Sequence, residues 1–207
     1  MLRYTRSRSR APHAGEDRGL RPFLPRHRLR AAAAPIDSSH SRSRHGTGLE
    51  LHRLFERFPQ ANVVGIALSA KMLNELARKD QPWQAHLRLI RGFFLELDLG
   101  KSTYDAVISS MALHHWIPGV KLRLYERIRI ALRRGGVFVN DDYVTTEQES
   151  TERLASFKAS CISDRHLQHI DLPLSIQQEQ ELPQEAGFPA IRLAFRRANT
   201  CVFAAVT

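Results

Sequence analysis

The chain carries two pairs of adjacent ionisable residues, His114 with His115 and Asp141 with Asp142. An imidazole titrates near neutral pH, so either histidine is a candidate general base that takes a proton from a reacting group. A neighbouring carboxylate could orient a nucleophile. The structural alternative is that one histidine packs under a turn, the other faces solvent, and the aspartates cap a helix. The candidate catalytic residues are therefore His114, His115 and Asp141.

Both pairs lie in residues 104–144, which read as a strand, a turn, a helix and a second strand. Residues 106–108 form a short apolar run, typical of a strand buried on both faces. Apolar residues then recur at helical spacing over 120–132, with Lys121 among the polar positions between them. Gly135 and Gly136 are expected to end this helix before the apolar run 137–139. A strand, a crossover helix and a strand form a right-handed parallel unit, whose ligands bind at the carboxyl ends of the strands. The polar pairs fall at that edge.

The flanking sequence supplies further elements of the same kind. Residues 62–68 and 86–91 predict strands, and Ser69 precedes a helix over 70–79. Near the end of the chain, residues 190–196 and 201–206 predict an antiparallel hairpin. The pattern indicates an α/β fold with a mostly parallel sheet.

Charge divides the 207 residues into two parts. Residues 1–45 contain 11 of the 31 Lys and Arg against three acids, and so carry +8 of the net charge of +10. Such a composition predicts a disordered or loosely packed basic tail, followed by one domain over 46–207. Alternatives for the tail are a mitochondrial transit peptide, a basic arm that contacts RNA or DNA through phosphates, and a segment translated in a shifted frame.

Composition also limits the compartment and the cofactor class. Two cysteines are too few for a disulfide framework, and no apolar run reaches the length that spans a bilayer. A cytoplasmic protein without membrane contact is expected, with mitochondrial targeting as the alternative. His166, His169 and Asp171 are weak candidates for metal ligands, and no metal is expected.

Five stretches, taken in order, resemble the class I S-adenosylmethionine-dependent methyltransferases. They are GTGLE, FPQANVVGIALSAKML, YDAVISSMALHHW, LRRGGVFVNDDYV and EAGFPAIRLAFRRANTCVFAAV. The resemblance covers residues 46–206 and implies a three-layer Rossmann-like sheet in the order 3-2-1-4-5-7-6, with the last strand reversed. It also implies S-adenosylmethionine as cofactor. Since methyl transfer depends mainly on proximity and alignment, no single catalytic residue is required.

The resemblance assigns cofactor contacts to nine positions: Gly46, Thr47, Gly48, Ala67, Leu68, Phe93, Phe94, Ser109 and Ser110. Several depart from the family's pattern. Ala67 stands where the family has the acid that binds the ribose hydroxyls, and Phe93 stands where an acid would hold the adenine amine. We therefore expect cofactor binding to be weak or lost.

The first strand is the other departure. The polar residues 38–44, SSHSRSR, stand at its place, and charges in a central buried strand would cost several kcal/mol. The first strand is thus expected to be poorly formed or missing. The functional expectation is a methyltransferase for an unknown, small-molecule substrate with a degraded cofactor site. The alternative is a non-catalytic protein of the same fold, either a pseudoenzyme or an N-terminally frame-shifted product. A nicotinamide-dependent oxidoreductase is disfavoured, because it too needs an acid at Ala67.

Overall fold

The computed structural model describes residues 30–34, 49–79, 81–160 and 171–207, and side chains from residue 51 onward. Eight strands and five α-helices alternate along these segments. The strands are β1 Arg30–Ala34, β2 Asn62–Ala67, β3 Leu87–Arg91, β4 Tyr104–Ser110, β5 Leu132–Thr145, β6 Leu174–Ser175, β7 Ala190–Arg197 and β8 Thr200–Val206. The helices are α1 Leu49–Arg57, α2 Ala70–Lys79, α3 Pro118–Ala131, α4 Glu147–Ala159 and α5 Ile176–Glu185.

The strands form one sheet in the order β3-β2-β1-β4-β5-β8-β7, and the two-residue β6 pairs with β5. Pairing is parallel from β3 to β5, whereas β8 runs antiparallel to both β5 and β7. This confirms the α/β sheet with a reversed last strand and the predicted terminal hairpin. Among the described residues, no helix combines the length and apolarity needed to cross a membrane.

The central position of the sheet is filled, which corrects the expectation of a poorly formed or missing first strand. Arg30–Ala34 occupies it and pairs in parallel with β2 on one side and β4 on the other. The polar residues 38–44, which the resemblance places at this position, lie outside the described residues. β1 lies within residues 1–45, the segment treated above as a tail.

Two apolar layers cover the sheet. On one face, Val63, Ala67 and Ala106 pack against Leu51 and Phe55 of α1 and against α2. A larger cluster covers the other face, where α3 and α5 meet the sheet. Its members include Ile66, Val107, Leu124, Tyr125, Phe138 and Phe188. This second layer lies directly beneath the polar residues that end β4 and β5.

Helix α3 differs from its predicted course. It begins at Pro118 and ends at Ala131, and β5 starts at the next residue, so both glycines lie in the strand rather than at the helix end. Gly135 has φ of +75°, a conformation that costs other residues about 1–2 kcal/mol. Lys121, which the helical pattern placed among the polar positions, is completely buried.

Candidate functional site

The candidate site is built where β4 and β5 end together. Ser110 closes β4 opposite Asp141 of β5. Between β4 and α3 the chain makes a tight turn containing a short 3-10 helix, Leu113–His115. Met111 enters this turn with φ of +51°, which is strained for a non-glycine residue, and its N–H donates to the Asp141 carbonyl at 2.7 Å. The turn is thereby fixed against the end of β5.

The Asp142 side chain anchors this turn through hydrogen bonds to its backbone. Its Oδ2 accepts from the backbone N–H groups of Leu113 at 2.8 Å and of His114 at 2.9 Å. Its Oδ1 accepts from the Tyr143 N–H at 2.9 Å and lies 2.5 Å from Nδ1 of His114. The Asp142 side chain is fully buried and the His114 ring is nearly so. Four contacts fill the lone-pair sites of one carboxylate, so Asp142 acts as an acceptor throughout.

That arrangement fixes the tautomer of the histidine. Because the Asp142 oxygen accepts, Nδ1 of His114 must carry a hydrogen and donate it. In a neutral imidazole the other nitrogen, Nε2, then presents a lone pair. The His114 ring is further restrained by the His115 ring, whose centroid is 3.9 Å away, and by Tyr143 at 5.3 Å. His114 and Asp142 thus form an oriented acceptor for a proton.

Asp141 faces the opposite side of the sheet, because successive strand residues alternate. It is half-buried, and the Ser110 hydroxyl donates to its Oδ2 at 3.3 Å. Burial raises the pKa of Asp141, the Ser110 hydrogen bond opposes that shift, and the nearby Asp142 carboxylate adds to it. The structure therefore joins His114 to Asp142 and Ser110 to Asp141, as two separate pairs.

An aromatic wall stands beside the turn. The buried ring of Trp116 meets Phe93 edge-on, with centroids 5.4 Å apart, and Phe94 at 6.2 Å. The two phenylalanines follow β3 and are half-buried, so they keep some accessible apolar surface. These rings therefore pack against one another and also leave apolar surface that a ligand can contact.

A second buried polar cluster lies under the site and was missed by sequence reasoning. Lys121 of α3 forms a salt bridge with Glu179 of α5, and both side chains are almost completely buried. The Tyr125 hydroxyl donates to the other Glu179 oxygen at 3.2 Å. Burial, followed by the Glu179 carboxylate, raises the pKa of Tyr125 well above its ordinary value. The available signal was position: Lys121 shares the buried stripe with Leu124, Tyr125 and Ile128.

Ser109 and Asn140 face the same layer. They are paired across β4 and β5, both are 2% exposed, and their side-chain polar atoms have no hydrogen-bond partner among the residues that the structure describes. Ser109 also lines a cavity of about 20 Å³ between the sheet and α3. That volume suits about one water molecule, so this cavity is not a nucleoside site.

The chain is similar to known methyltransferases in sequence. A family model described as a methyltransferase domain matches residues 45–136. The carboxy-S-adenosyl-L-methionine synthase of Nautilia profundicola is 23% identical over 172 residues, covering 77% of this chain and 73% of that protein. The trans-aconitate 2-methyltransferase of Deinococcus radiodurans is 38% identical over 92 residues, covering 44% of this chain and 33% of that protein.

Solved structures agree at the level of the fold. Human N-acetylserotonin methyltransferase, in complex with S-adenosylmethionine, superposes with a TM-score of 0.59 at 16% identity, covering 86% of this chain and 47% of that one. Residues 45–136 thus match a methyltransferase domain, and the sheet as a whole has the fold of the solved methyltransferases. The chain spans about half the length of the solved methyltransferases that it matches.

Six of the nine positions that the resemblance assigns to the cofactor lie in the described part of the chain. Ala67 ends β2 and is buried against the α1–α2 layer, and its carbonyl accepts from the Gly92 N–H at 3.0 Å. The next residue, Leu68, is exposed. Phe93 and Phe94 follow β3, while Ser109 and Ser110 end β4 on opposite faces of the sheet. Gly46, Thr47 and Gly48 lie outside the described residues.

Metal ligation finds no support in the described segments, where no group of three or more His, Cys, Asp or Glu side chains could hold an ion. His166 and His169 lie outside the described residues, and Asp171 is exposed.

Proposed function

We propose that this chain is a methyltransferase whose cofactor site is weakened and whose acceptor is a small molecule. The observation that carries the catalytic half of the proposal is the buried His114–Asp142 pair at the carboxyl ends of β4 and β5. These strand ends are where open α/β sheets bind their ligands. A fixed imidazole at that edge can take the proton that an O–H or N–H acceptor loses as it is methylated.

S-adenosylmethionine, when bound, supplies a methyl group already activated on a sulfonium. The protein therefore has to bind, align and deprotonate the acceptor. Asp142 keeps the proton on Nδ1 of His114 and leaves Nε2 to receive another, while Trp116 and Phe93 offer apolar surface for the acceptor. His115, packed on His114, is the second polar group next to this position.

The residues present fit the cofactor in part. The rings of Phe93 and Phe94 can pack against a flat adenine. At the end of β2, however, Ala67 offers a methyl group where two ribose hydroxyls would need a carboxylate. Hydrogen bonds to a charged group contribute about 1.5–3 kcal/mol each, so the loss of this acid supports a binding constant weaker by roughly tenfold or more.

The small-molecule assignment is supported by the half-buried aromatic wall and by relatives. The trans-aconitate and N-acetylserotonin methyltransferases are named for small acceptors. The competing proposal is a non-catalytic protein that keeps the fold, which the replacement of the ribose-binding acid by Ala67 favours.

A methyl-transfer assay separates the two. The purified chain is incubated with methyl-labelled S-adenosylmethionine at high concentration and a panel of small carboxylic acids, phenols and amines. Transfer that falls at least 100-fold in His114→Gln, with folding intact, is the expected result, since general base catalysis contributes about 10²–10⁴-fold. His52→Gln, which alters an exposed histidine on α1, is the matched control. Absence of transfer to every acceptor at saturating cofactor would favour the non-catalytic alternative.

A further inference from the structure

Strand β3 ends in an arginine beside the position that the resemblance assigns to ribose binding. Arg91 lies opposite Ala67 in the parallel pairing of β3 with β2, and neighbouring strands are about 4.8 Å apart. The guanidinium Nε of Arg91 donates to the Leu68 carbonyl at 3.2 Å. A positive charge is therefore held at the end of β2, next to the alanine that stands where an acid would bind the ribose hydroxyls.

The rest of this guanidinium is available to a ligand. Arg91 is exposed, and its two terminal nitrogens donate to no other described residue. β2 and β3 contain no acidic residue, and no acid in the described segments, Glu96 of the following loop included, forms an ion pair with Arg91. Because the guanidinium is planar and tethered through Nε, its remaining N–H groups form a fork of fixed shape.

The loop that follows Arg91 is fixed to the same strand end. The Gly92 N–H donates to the Ala67 carbonyl at 3.0 Å, and the Arg127 guanidinium of α3 donates to two backbone carbonyls further along the loop. Phe93 and Phe94 lie between these two anchors and are half-buried. An aromatic surface for a base and a cationic fork for an anion are thus separated by a single glycine.

Charge decides which ribose suits this position. In nucleotide-binding α/β sheets, an acid after the second strand accepts hydrogen bonds from free ribose hydroxyls, whereas a nearby arginine accommodates a phosphate on the ribose. Ala67 removes the carboxylate, which would repel such a phosphate, and Arg91 supplies donors that match phosphate oxygens. The replacement that weakens binding of an unphosphorylated ribose therefore favours a phosphorylated one.

We propose that the ends of β2 and β3 bind an adenine nucleotide whose ribose carries a phosphate on O2′ or O3′. Arg91 contacts this phosphate, and the Phe93 ring packs against the base. The inference deepens the proposed function by naming a ligand class for the weakened cofactor site, and it rests on that proposal for the placement of the nucleoside. It involves neither methyl transfer nor His114.

Isothermal titration of the full chain at constant ionic strength tests the inference. The three probes are adenosine 5′-monophosphate, adenosine 2′,5′-bisphosphate and adenosine 3′,5′-bisphosphate. At least one bisphosphate is expected to bind about five- to tenfold more tightly than the monophosphate, since the added contact is charge-assisted but exposed to solvent. The two bisphosphates distinguish which ribose oxygen carries the recognised phosphate.

Variants at two positions separate this role from a structural one. Arg91→Gln keeps a donor for the Leu68 carbonyl without the charge and should bring the ratio of bisphosphate to monophosphate affinity close to one. Arg91→Lys keeps the charge without the fork and should give an intermediate ratio. The matched control is Arg88→Gln, an exposed arginine of β3 on the opposite face, which should keep the original ratio. Ala67→Asp should weaken bisphosphate binding and strengthen binding of S-adenosylmethionine.

Three results would overturn the inference: equal affinity for all three probes, binding of none of them, or a bisphosphate preference that survives Arg91→Gln. The last would assign the phosphate to other cations, such as the Arg-rich residues 1–45. None of these results decides the methyl-transfer proposal, because S-adenosylmethionine carries no ribose phosphate and is titrated in parallel. A preference that depends on Arg91 in a chain that transfers no methyl group would support the inference and refute the catalytic proposal. Circular dichroism on each variant verifies the fold.

Discussion

The buried ion pair between α3 and α5 gives a sharp stability prediction. Lys121 and Glu179 are both almost completely buried, 58 residues apart in sequence, and the Tyr125 hydroxyl is a further partner of Glu179. In Lys121→Met the apolar side chain fills the space, but the Glu179 carboxylate remains buried with a single neutral donor. Removal of one partner from a buried pair costs about 3–5 kcal/mol.

The same reasoning predicts recovery when the charges are removed together. Lys121→Met/Glu179→Leu leaves no buried charge, and its main cost is the Tyr125 hydroxyl, which then lacks an acceptor and costs about 1–3 kcal/mol. Adding Tyr125→Phe removes that group as well. The triple variant should therefore unfold within about 1 kcal/mol of the original chain, or be more stable, as in buried pairs replaced by apolar residues.

Urea denaturation followed by circular dichroism measures all of these variants, and the midpoints are compared at equal m-values. Arg153→Met serves as the control, since its ion pair with Asp171 is exposed and should be worth less than about 1 kcal/mol. The reasoning is refuted if the triple variant is as unstable as Lys121→Met. In that case the cost would come from packing rather than from an unpaired charge.

Three further predictions concern the site and the β5 strand. Asp142→Asn should lower the free energy of unfolding by about 2–4 kcal/mol, because an amide cannot accept all four hydrogen bonds of the carboxylate. Urea denaturation measures this change. An effect no larger than that of Asp141→Asn would contradict the role of Asp142 in fixing the turn. Asp141 has a folded-state pKa raised by burial, so its ionisation opposes folding above the unfolded pKa near 3.9: stability falls as pH rises through the folded value. Asp141→Asn should therefore gain relative to the original chain at pH 7 and lose that gain below about pH 4 in pH-dependent thermal melts; a gain that is equal at both pH values would count against it. An added Cβ would meet no atom within 4 Å at either Gly135 or Gly119, so only the backbone distinguishes the two positions. Gly135→Ala should lower the free energy of unfolding by about 1–2 kcal/mol because of its positive φ, whereas Gly119→Ala, in helix α3, should raise it by about 0.5–1 kcal/mol. Thermal melts compare the two variants, and equal shifts in melting temperature would contradict the positive φ of Gly135.

The sheet could be predicted from the sequence where apolar runs are short and bounded. Residues 62–67, 104–110 and 200–206 contain such runs, and these strands have buried residues on both faces. β1 could not be found in this way. Its sequence, RAAAA, is rich in alanine, which is depleted in strands, so only its place between β2 and β4 makes it a strand.

The site was predictable in its residue types but not in its pairings. Two histidines and two aspartates at strand ends indicate an active edge, yet nothing local decides that Asp142, and not Asp141, meets His114. That choice depends on strand alternation and on the course of the turn after Ser110. The position of Lys121 on the buried stripe of α3 signals that it needs a partner, but the sequence does not identify Glu179 as that partner, because it is 58 residues away.

We propose above that this chain binds S-adenosylmethionine weakly, because Ala67 stands where the ribose-binding acid would be. Calorimetric titration of the original chain, Ala67→Asp and Ala67→Asn with S-adenosylmethionine tests it most directly. The asparagine variant matches the shape of aspartate without its charge. The account predicts binding weaker than low micromolar for the original chain and a gain of at least about tenfold for Ala67→Asp alone. Tight micromolar binding by the original chain, or equal affinity of the Asp and Asn variants, would contradict it.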